Sequence, residues 1–334
     1  MLLDLAYAAT RPFLFSMDPE TAHERVFGMV ERAPGLIMGL AGSPGAGKPV
    51  EVAGMTLASP VGLAAGLDKD ARALPVWERL GFGFVEIGTI TPRPQAGNPR
   101  PRIHRLVSQR AIINRMGFPS EGADAVAGRL QRWRDMGRWP GIPVGINLGK
   151  NKDTPLESAA EDYVSLVKTL GGFADYLVVN VSSPNTPNLR ELQMTRPLQA
   201  IVAATRAEAG NTPVFVKLAP DLEDEDLALA VETAIGAGAA GIVATNTTIQ
   251  RPGDTGAGGQ QGGLSGAPLF PIARPKIGAA IDAAAGRVPV IGVGGVDSAE
   301  KARALLDMGA AAVQVYTAVI YEGPGLAQRI VAGL

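Results

Sequence analysis

The run Val178-Val179-Asn180-Val181-Ser182-Ser183-Pro184-Asn185-Thr186-Pro187-Asn188 carries the densest chemistry in the chain. Its apolar lead-in has the unbroken hydrophobic character of a strand buried on both faces. The strand stops at Asn180 and passes straight into a polar loop stiffened by prolines. In an α/β barrel that is the C-terminal edge, where catalytic groups collect. The amides of Asn180 and Asn185 both donate and accept, which suits the edge of a planar heterocycle. Ser182 and Ser183 offer hydroxyls that could become a base. A polar turn without a task is the plainer alternative, and the rest of the chain must decide between the two.

Other apolar runs end in the same way. Ala64-Ala65-Gly66-Leu67-Asp68-Lys69 combines small residues, over which a flat ring can approach the backbone, with a cation. Lys217 sits inside Val216-Lys217-Leu218, where a lysine needs a partner, either an ion pair or a bound cofactor. Ala244-Thr245-Asn246-Thr247-Thr248 is a second cluster of amide and hydroxyls. Gly292-Val293-Gly294-Gly295-Val296 and Val315-Tyr316-Thr317 close the series with backbone suited to holding a phosphate beside a short helix N-terminus. Residues 262–266, placed in a long loop, add another segment that permits close approach. Together these ends suggest a phosphorylated planar cofactor lying across a barrel mouth, and flavin mononucleotide (FMN) fits. A phosphosugar isomerase or aldolase is the competing barrel reading, but it calls for a histidine or paired carboxylates at the mouth, and Asp68 is the only acid noted beside these motifs.

The elements that must hold these ends alternate strand and helix. Strands are expected at 61–64, 84–88, 144–147, 176–180, 214–218, 241–245, 290–293 and 312–315, with helices at 120–136, 154–170, 195–209, 221–235 and 298–308 between them. Eight such units in about 260 residues predict a closed (β/α)8 barrel rather than an open doubly wound sheet. Residues 50–58 read as a small hairpin under the barrel bottom. The chain has 334 residues, 46% of them apolar, enough for one large domain with a small appendage. A net charge of −1 argues against nucleic acid as a partner. No cysteine is present, so disulfides, thiolate metal sites and cysteine nucleophiles are excluded. The two histidines, His23 and His104, lie away from the strand ends, and no metal is expected. No secretory leader and no apolar run of about 20 residues is visible, so a soluble or surface-bound protein of a reducing compartment is expected.

Two segments break the repeat. Residues 1–40 precede the barrel. The stretch 2–15 is almost wholly apolar, and Asp18 with Pro19 starts a second helix whose Ala22, Val26, Met29 and Val30 form one stripe beside His23 and Phe27. This is either an arm folded over the barrel or an interfacial element that meets a bilayer or an apolar ligand. Residues 91–119 read as a long loop holding Arg93, Arg100, Arg102, Arg105, Arg110 and Arg115 and no acid. These arginines suit either an anionic ligand or charged groups elsewhere on the protein.

Five stretches resemble, in order, the dihydroorotate dehydrogenases: Ala65-Gly66-Leu67-Asp68-Lys69, Asn114-Arg115-Met116-Gly117-Phe118, Asn180 through Thr186, Ala244 through Thr248, and Gly292-Val293-Gly294-Gly295. The resemblance runs over nearly the whole chain and points to the class 2, quinone-dependent branch. That branch uses serine as its base where class 1 uses cysteine, and it carries a helical N-terminal extension. The resemblance implies a TIM barrel over residues 41–334 that binds FMN, with residues 1–40 as a quinone- and membrane-associating arm. It implies oxidation of dihydroorotate to orotate, with electrons passed through FMN to ubiquinone or menaquinone, in de novo pyrimidine (UMP) synthesis. Ser183 would take the C5 proton while hydride leaves C6 for the flavin N5, with Thr186 and Phe118 helping to shuttle the serine proton. Lys69, Asn114, Arg115, Met116, Gly117, Phe118, Asn180, Asn185, Asn246 and Thr247 would hold the substrate. Ala65, Gly66, Leu67, Asp68, Lys69, Thr89, Asn147, Asn180, Lys217, Thr245, Gly266, Gly295, Tyr316 and Thr317 would hold the flavin. Thr317 stands where the family often has serine. His23 and Arg105 resemble positions beside the quinone tunnel. A monomer bound peripherally to the cytoplasmic face of the cell (inner) membrane is the expected state.

Overall fold

The computed structural model describes residues 2–42, 45, 47–252 and 259–334. Eight parallel strands, Val61–Leu63, Phe84–Ile90, Val144–Leu148, Tyr176–Asn180, Val214–Leu218, Gly241–Ala244, Val290–Val293 and Ala312–Val315, pair in chain order, and the last closes onto the first. The expected (β/α)8 TIM barrel is therefore observed. Four of the expected strands match to the residue, because a strand buried on both faces is a continuous apolar run with sharp ends.

The barrel interior is built in layers. Phe84, Tyr176 and Phe215 fill the bottom, and each ring lies against a glycine of the adjacent strand: Gly62, Gly145 and Gly241. A Cβ at any of these glycines would strike the ring, so the glycines make the space that the aromatics occupy. The expected hairpin, Val50–Val52 with Met55–Leu57, turns at Ala53 and Gly54, both with positive φ, and packs Val52 and Leu57 against this layer. Two residues beyond Phe84 and Phe215 the inward positions become polar, Glu86 and Lys217, and Gln314 joins them from the last strand. Side chains alternate along a strand, so the layer above the aromatics is set by this spacing.

Residues 91–119 are not the single loop read from the sequence. Ile103–Leu106 and Ala111–Asn114 form an antiparallel hairpin, and Ala111–Asn114 pairs on its other side with Gly263–Gly266. The segment 262–266, expected as loop, is thus mostly a strand that fastens the hairpin over the mouth. The arginines of this segment face the protein itself. Arg102 is buried and pairs with Glu20 at 2.6 Å, Arg100 reaches the same carboxylate at 3.0 Å, Arg93 meets Asp153, and Arg110 pairs with Glu322. Asp221, expected to open a helix, instead pairs with Arg190, and the helix runs from Asp224 to Gly236.

The N-terminal segment forms three helices, α1 (Leu2–Ser16), α2 (Pro19–Arg32) and α3 (Pro34–Ala41), the last not expected from the sequence. Asp18 caps α2 by accepting from the Thr21 N–H at 2.9 Å, as its position suggests. Phe27 and Val30 of α2 are buried in the main core, Phe27 lying 6.3 Å from the Trp77 ring, whereas Met29 of the expected stripe is exposed. Among the described residues of α1 none is buried. Among the described residues no helix is long and apolar enough to cross a membrane.

Candidate active site

A cavity of about 1170 Å³, counted with its open mouth, lies over the C-terminal ends of the strands. The structure gathers most of the expected site residues around it. Ala65, Gly66, Lys69, Thr89, Asn114, Met116, Gly117, Phe118, Asn180, Ser183, Asn185, Lys217, Thr245, Asn246, Thr247, Gly266, Gly295, Tyr316 and Thr317 all line it. Seven do not. Leu67 packs into the core. The Asp68 carboxylate is fully buried and accepts from the Arg72 and Ala73 amides and the Trp77 indole at 2.7, 3.0 and 2.9 Å. Burial pushes its pKa up to about 6 against those bonds. Its task is to tie the Lys69 loop to the 3₁₀ turn that follows. Arg115 donates outward to the Pro101 carbonyl. Asn147 lies one layer deeper, fully buried. Thr186 is buried beside the serine loop, with its hydroxyl unpartnered. His23 and Arg105 belong to the arm and the hairpin.

The polar groups at the mouth are chained together. Asn180 donates to the Asn147 Oδ1 at 3.0 Å and to the Thr89 hydroxyl at 2.9 Å. Its own Oδ1 accepts from the Ser182 hydroxyl at 3.1 Å and from Asn246 Nδ2 at 3.4 Å. Asn246 Nδ2 also reaches the Ser182 hydroxyl at 2.9 Å. Asn185 donates to Asn114 at 3.0 Å, linking the serine loop to the hairpin. Ser182 is therefore fully engaged in structure. Ser183 is 6% exposed, lines the cavity, and its hydroxyl accepts from the Asn185 N–H at 3.2 Å. Of the two serines, Ser183 is the one free to meet a ligand. Arg190, not singled out from the sequence, holds the loop from below by donating to the carbonyls of Ser182 and Thr247.

Three cationic side chains line the cavity: Lys69, Lys217 and Arg110, the last paired with Glu322. Lys69 donates to the Gly66 carbonyl at 2.7 Å; burial lowers its pKa, and the carboxylates of Asp70, Glu20 and Glu24 oppose that shift. Lys217, 5% exposed, lies 3.9 Å from Glu86, which is fully buried. Both partners proposed for this lysine are thus available: an ion pair behind it and open space in front. Glu86 and Gln314 were not identified from the sequence. The signal was present, since each is a polar residue two places along from a core residue in an apolar strand. Burial holds the Tyr316 phenol neutral, its pKa pushed up to about 12, and its ring abuts Gly66. Among the described residues no three His, Asp or Glu side chains converge as a metal site would require.

Residues 49–334 match the family model described as dihydroorotate dehydrogenase. The chain belongs to the dihydroorotate dehydrogenase family. Its relatives place it in the quinone-dependent, class 2 branch. The dihydroorotate dehydrogenase (quinone) of Acidithiobacillus ferrooxidans is 46% identical, covering 99% of this chain and 94% of that protein. The protein of the same name from Anaeromyxobacter sp. strain K is 50% identical over 99% and 92%. The crystal structure of the Eimeria tenella DHODH in complex with ferulenol superposes with a TM-score of 0.87 at 38% identity, covering 96% of this chain and 93% of that one. Dihydroorotate dehydrogenases are flavin-dependent oxidoreductases, and the polar mouth described above is where this chain can hold such a group.

In the arm, His23 stacks on Phe27 with ring centroids 4.2 Å apart. Burial, helped by the charges of Lys69 and Arg72, lowers its pKa to about 3. Arg105 donates to the Met17 carbonyl at 2.9 Å and lies over the Phe15 ring at 4.9 Å, so it fixes the junction of α1 and α2.

Proposed function

We propose that this chain oxidises dihydroorotate to orotate and passes the electrons through FMN to a membrane quinone, as a step of de novo pyrimidine synthesis. The observation that carries this reading is the single cavity wall on which Ser183, four asparagines (114, 180, 185 and 246) and two lysines converge. A dihydropyrimidine presents alternating donors and acceptors, and rotatable amides held by neighbours match that edge. Ser183 takes the C5 proton. A serine hydroxyl is a poor base in water, so it needs a closed site and a path for the proton. The unpartnered Thr186 hydroxyl buried in the same loop offers the next station for that proton, and Phe118 at the rim shields it from solvent. Lys69, with Asn114, Asn185 and Thr247, is suited to bind the substrate carboxylate and ring. Met116 and Gly117 close over it, and Arg115 holds their loop through the Pro101 carbonyl.

The inner part of the cavity suits FMN. Gln314 lines it with an unpartnered carbonyl oxygen, and Lys217 lines it with an ammonium. An acceptor and a cation at the floor match the polar edge of an isoalloxazine. Thr89, Asn180 and Thr245 border the same space, and Gly266, Gly295, Tyr316 and Thr317 frame its far end for the phosphate. Leu67, Asp68 and Asn147 support this pocket from behind. Bound there, FMN would supply the redox chemistry that these side chains cannot, as a hydride acceptor and electron carrier.

Residues 1–40 serve as the quinone- and membrane-associating arm, and 41–334 as the catalytic barrel. Leu2, Leu5, Phe13 and Leu36 are each more than 60% exposed, which supports docking on the apolar surface of a membrane from the cytoplasmic side. His23 and Arg105 flank the route by which a quinone reaches the flavin. The acting unit in this reading is a monomer.

An anaerobic absorbance trace tests the reading. Dihydroorotate should bleach the flavin band, and a short-chain quinone should restore it. Bleaching without recovery would move the acceptor to a soluble molecule, and a colourless protein would overturn the cofactor.

A further inference from the structure

We infer that Glu86 is a positioning residue that fixes the direction of the Asn147 and Gln314 amides, and with them the inner end of the amide chain that runs through Asn180 to Asn246. The inference rests on the reading of the cavity given above. Glu86 is 0% exposed, and both of its oxygens are spoken for. Oε1 accepts from Asn147 Nδ2 at 2.7 Å, and Oε2 accepts from Gln314 Nε2 at 2.7 Å. An ionised carboxylate can only accept, and the Lys217 ammonium 3.9 Å away balances its charge.

The consequence passes from residue to residue. Asn147 must turn its NH₂ toward Glu86, which leaves its Oδ1 facing Thr89 and Asn180. Asn180 must therefore spend its NH₂ inward, and its Oδ1 faces Ser182 and Asn246. Asn246 must spend its NH₂ on that pair, which leaves its Oδ1 to accept from the Thr247 N–H at 2.7 Å. A primary amide is nearly symmetric in shape, so its direction is set by its neighbours. The Ser182 and Thr247 backbone N–H groups, which can only donate, hold the Asn180 and Asn246 oxygens from the outer side, at 3.3 and 2.7 Å. The carboxylate holds the inner end, because a reversed Asn147 would set its oxygen against an anion and its NH₂ against that of Asn180. On the other branch, Gln314 spends its NH₂ on Glu86 and keeps its free oxygen on the cavity wall. The polarity that a ligand meets at the floor of this mouth is thus set one layer below it.

Glu86→Gln tests this, because it keeps the shape and allows the end group to donate. In the flavin-loaded protein the readouts are the dissociation constant of orotate, followed by its perturbation of the flavin absorbance, and the midpoint potential of the flavin. The relay requires E86Q to lose about ten-fold or more in orotate affinity and to shift the potential, since buried groups then meet with mismatched polarity. Moving the acceptor one place along, in E86Q with Asn147→Asp, should restore orotate affinity to within about three-fold of the parent. An E86Q protein that melts earlier but binds orotate normally at an unchanged potential would overturn the relay and leave Glu86 a mere partner for Lys217. If E86Q does not accumulate folded, the swapped pair carries the test alone, and a ten-fold loss in that pair overturns the relay. Parent protein that shows no flavin band or no response to orotate would instead refute the functional reading, so the two failures are distinct.

Discussion

At the barrel mouth, Asn180, Ser182, Ser183 and Lys217 are each 6% exposed or less; in α1, Leu2, Leu5 and Phe13 are 64–70% exposed. One region buries what usually faces water, and the other exposes what usually avoids it. The mouth meets the cost of burial internally, because almost every donor there has a named acceptor. Such a network is rigid, and its geometry exists before a ligand arrives. The arm has no equivalent internal answer. α1 is held by few anchors: the Tyr7 hydroxyl on the Ile320 carbonyl, Asp4 on the Gly325 N–H, and Arg105 on the carbonyls before α2. Leu2, Leu5 and Phe13 stay exposed among the described residues. On the function proposed above, the contrast separates a pre-formed catalytic surface from a docking surface that a membrane would complete.

The largest effect should come from breaking the mouth at its reactive end. Ser183→Ala should lower turnover by about 10²–10⁴-fold, the usual share of a positioned base, while the flavin stays bound. Stopped-flow bleaching by dihydroorotate measures this directly. Turnover within a few-fold of the parent would move the base elsewhere in the loop. Ser182→Ala is the companion: it should act through Asn180 and Asn246, which the Ser182 hydroxyl joins, and should cost less.

Lys217→Ala should come next. It leaves Glu86 buried with neutral donors alone, and removing one partner of a buried pair costs roughly 3–5 kcal/mol. Thermal melting of the flavin-free protein measures that cost, and flavin retention on gel filtration measures the lysine's second task. A fully yellow variant of unchanged stability would show the mouth to be less tightly coupled than its distances imply.

Both of those residues stand where the sequence could be read, and the reasons explain what could not. The strand ends at 176–180 and 214–218 were legible because buried parallel strands are unbroken apolar runs. Ser183 and the asparagines were legible because polar loops at such ends face the mouth. Glu86 was missed although it obeys the rule that exposed Lys217: a charge inside an apolar strand needs a partner, and two such charges of opposite sign imply each other. The hairpin over 103–114 was illegible for a different reason. Its first strand is half-polar, its second is only four residues long, and its other partner, Gly263–Gly266, lies about 150 residues further along the chain, so no local pattern announces the pairing. The six arginines left a ligand and an internal partner both open, and the second is observed; the acids that answer them, such as Glu20 and Glu322, come from distant segments that no local pattern links.

On the arm, changes should be small for the fold and large for docking. Leu5→Ser with Phe13→Ser should alter stability by no more than about 0.5 kcal/mol, since neither side chain is buried. Vesicle flotation should nevertheless fall by about ten-fold or more, because burying each such side chain in an acyl layer contributes roughly 1.5–3 kcal/mol. Removing residues 1–16 should abolish reduction of a long-chain quinone and spare bleaching by dihydroorotate. Removing residues 1–40 is a poorer experiment, since Phe27 and Val30 of α2 belong to the main core. Quinone turnover that survived the loss of α1 would transfer the docking role to α2 and α3.

The smallest effect is expected where the two regions meet, at His23. Its folded pKa is about 3 because burial and the Lys69 and Arg72 charges disfavour a proton. The unfolded chain holds a histidine near its ordinary value of about 6.5. A group whose pKa is depressed by folding contributes stability that is fully present above the unfolded value and is lost as pH falls toward the folded one. The native protein should therefore weaken between about pH 6.5 and 3, and His23→Gln should flatten that part of the profile while changing little at pH 7.5. Chemical denaturation at a series of pH values reads the slope. Lys69, which lowers the His23 pKa, also lines the cavity, so an orotate carboxylate bound at Lys69 should offset part of its charge and make His23 easier to protonate. The acid limb should then move to higher pH when orotate is present. An unchanged limb would mean that the arm and the mouth are electrostatically separate, and that α2 senses only its own burial.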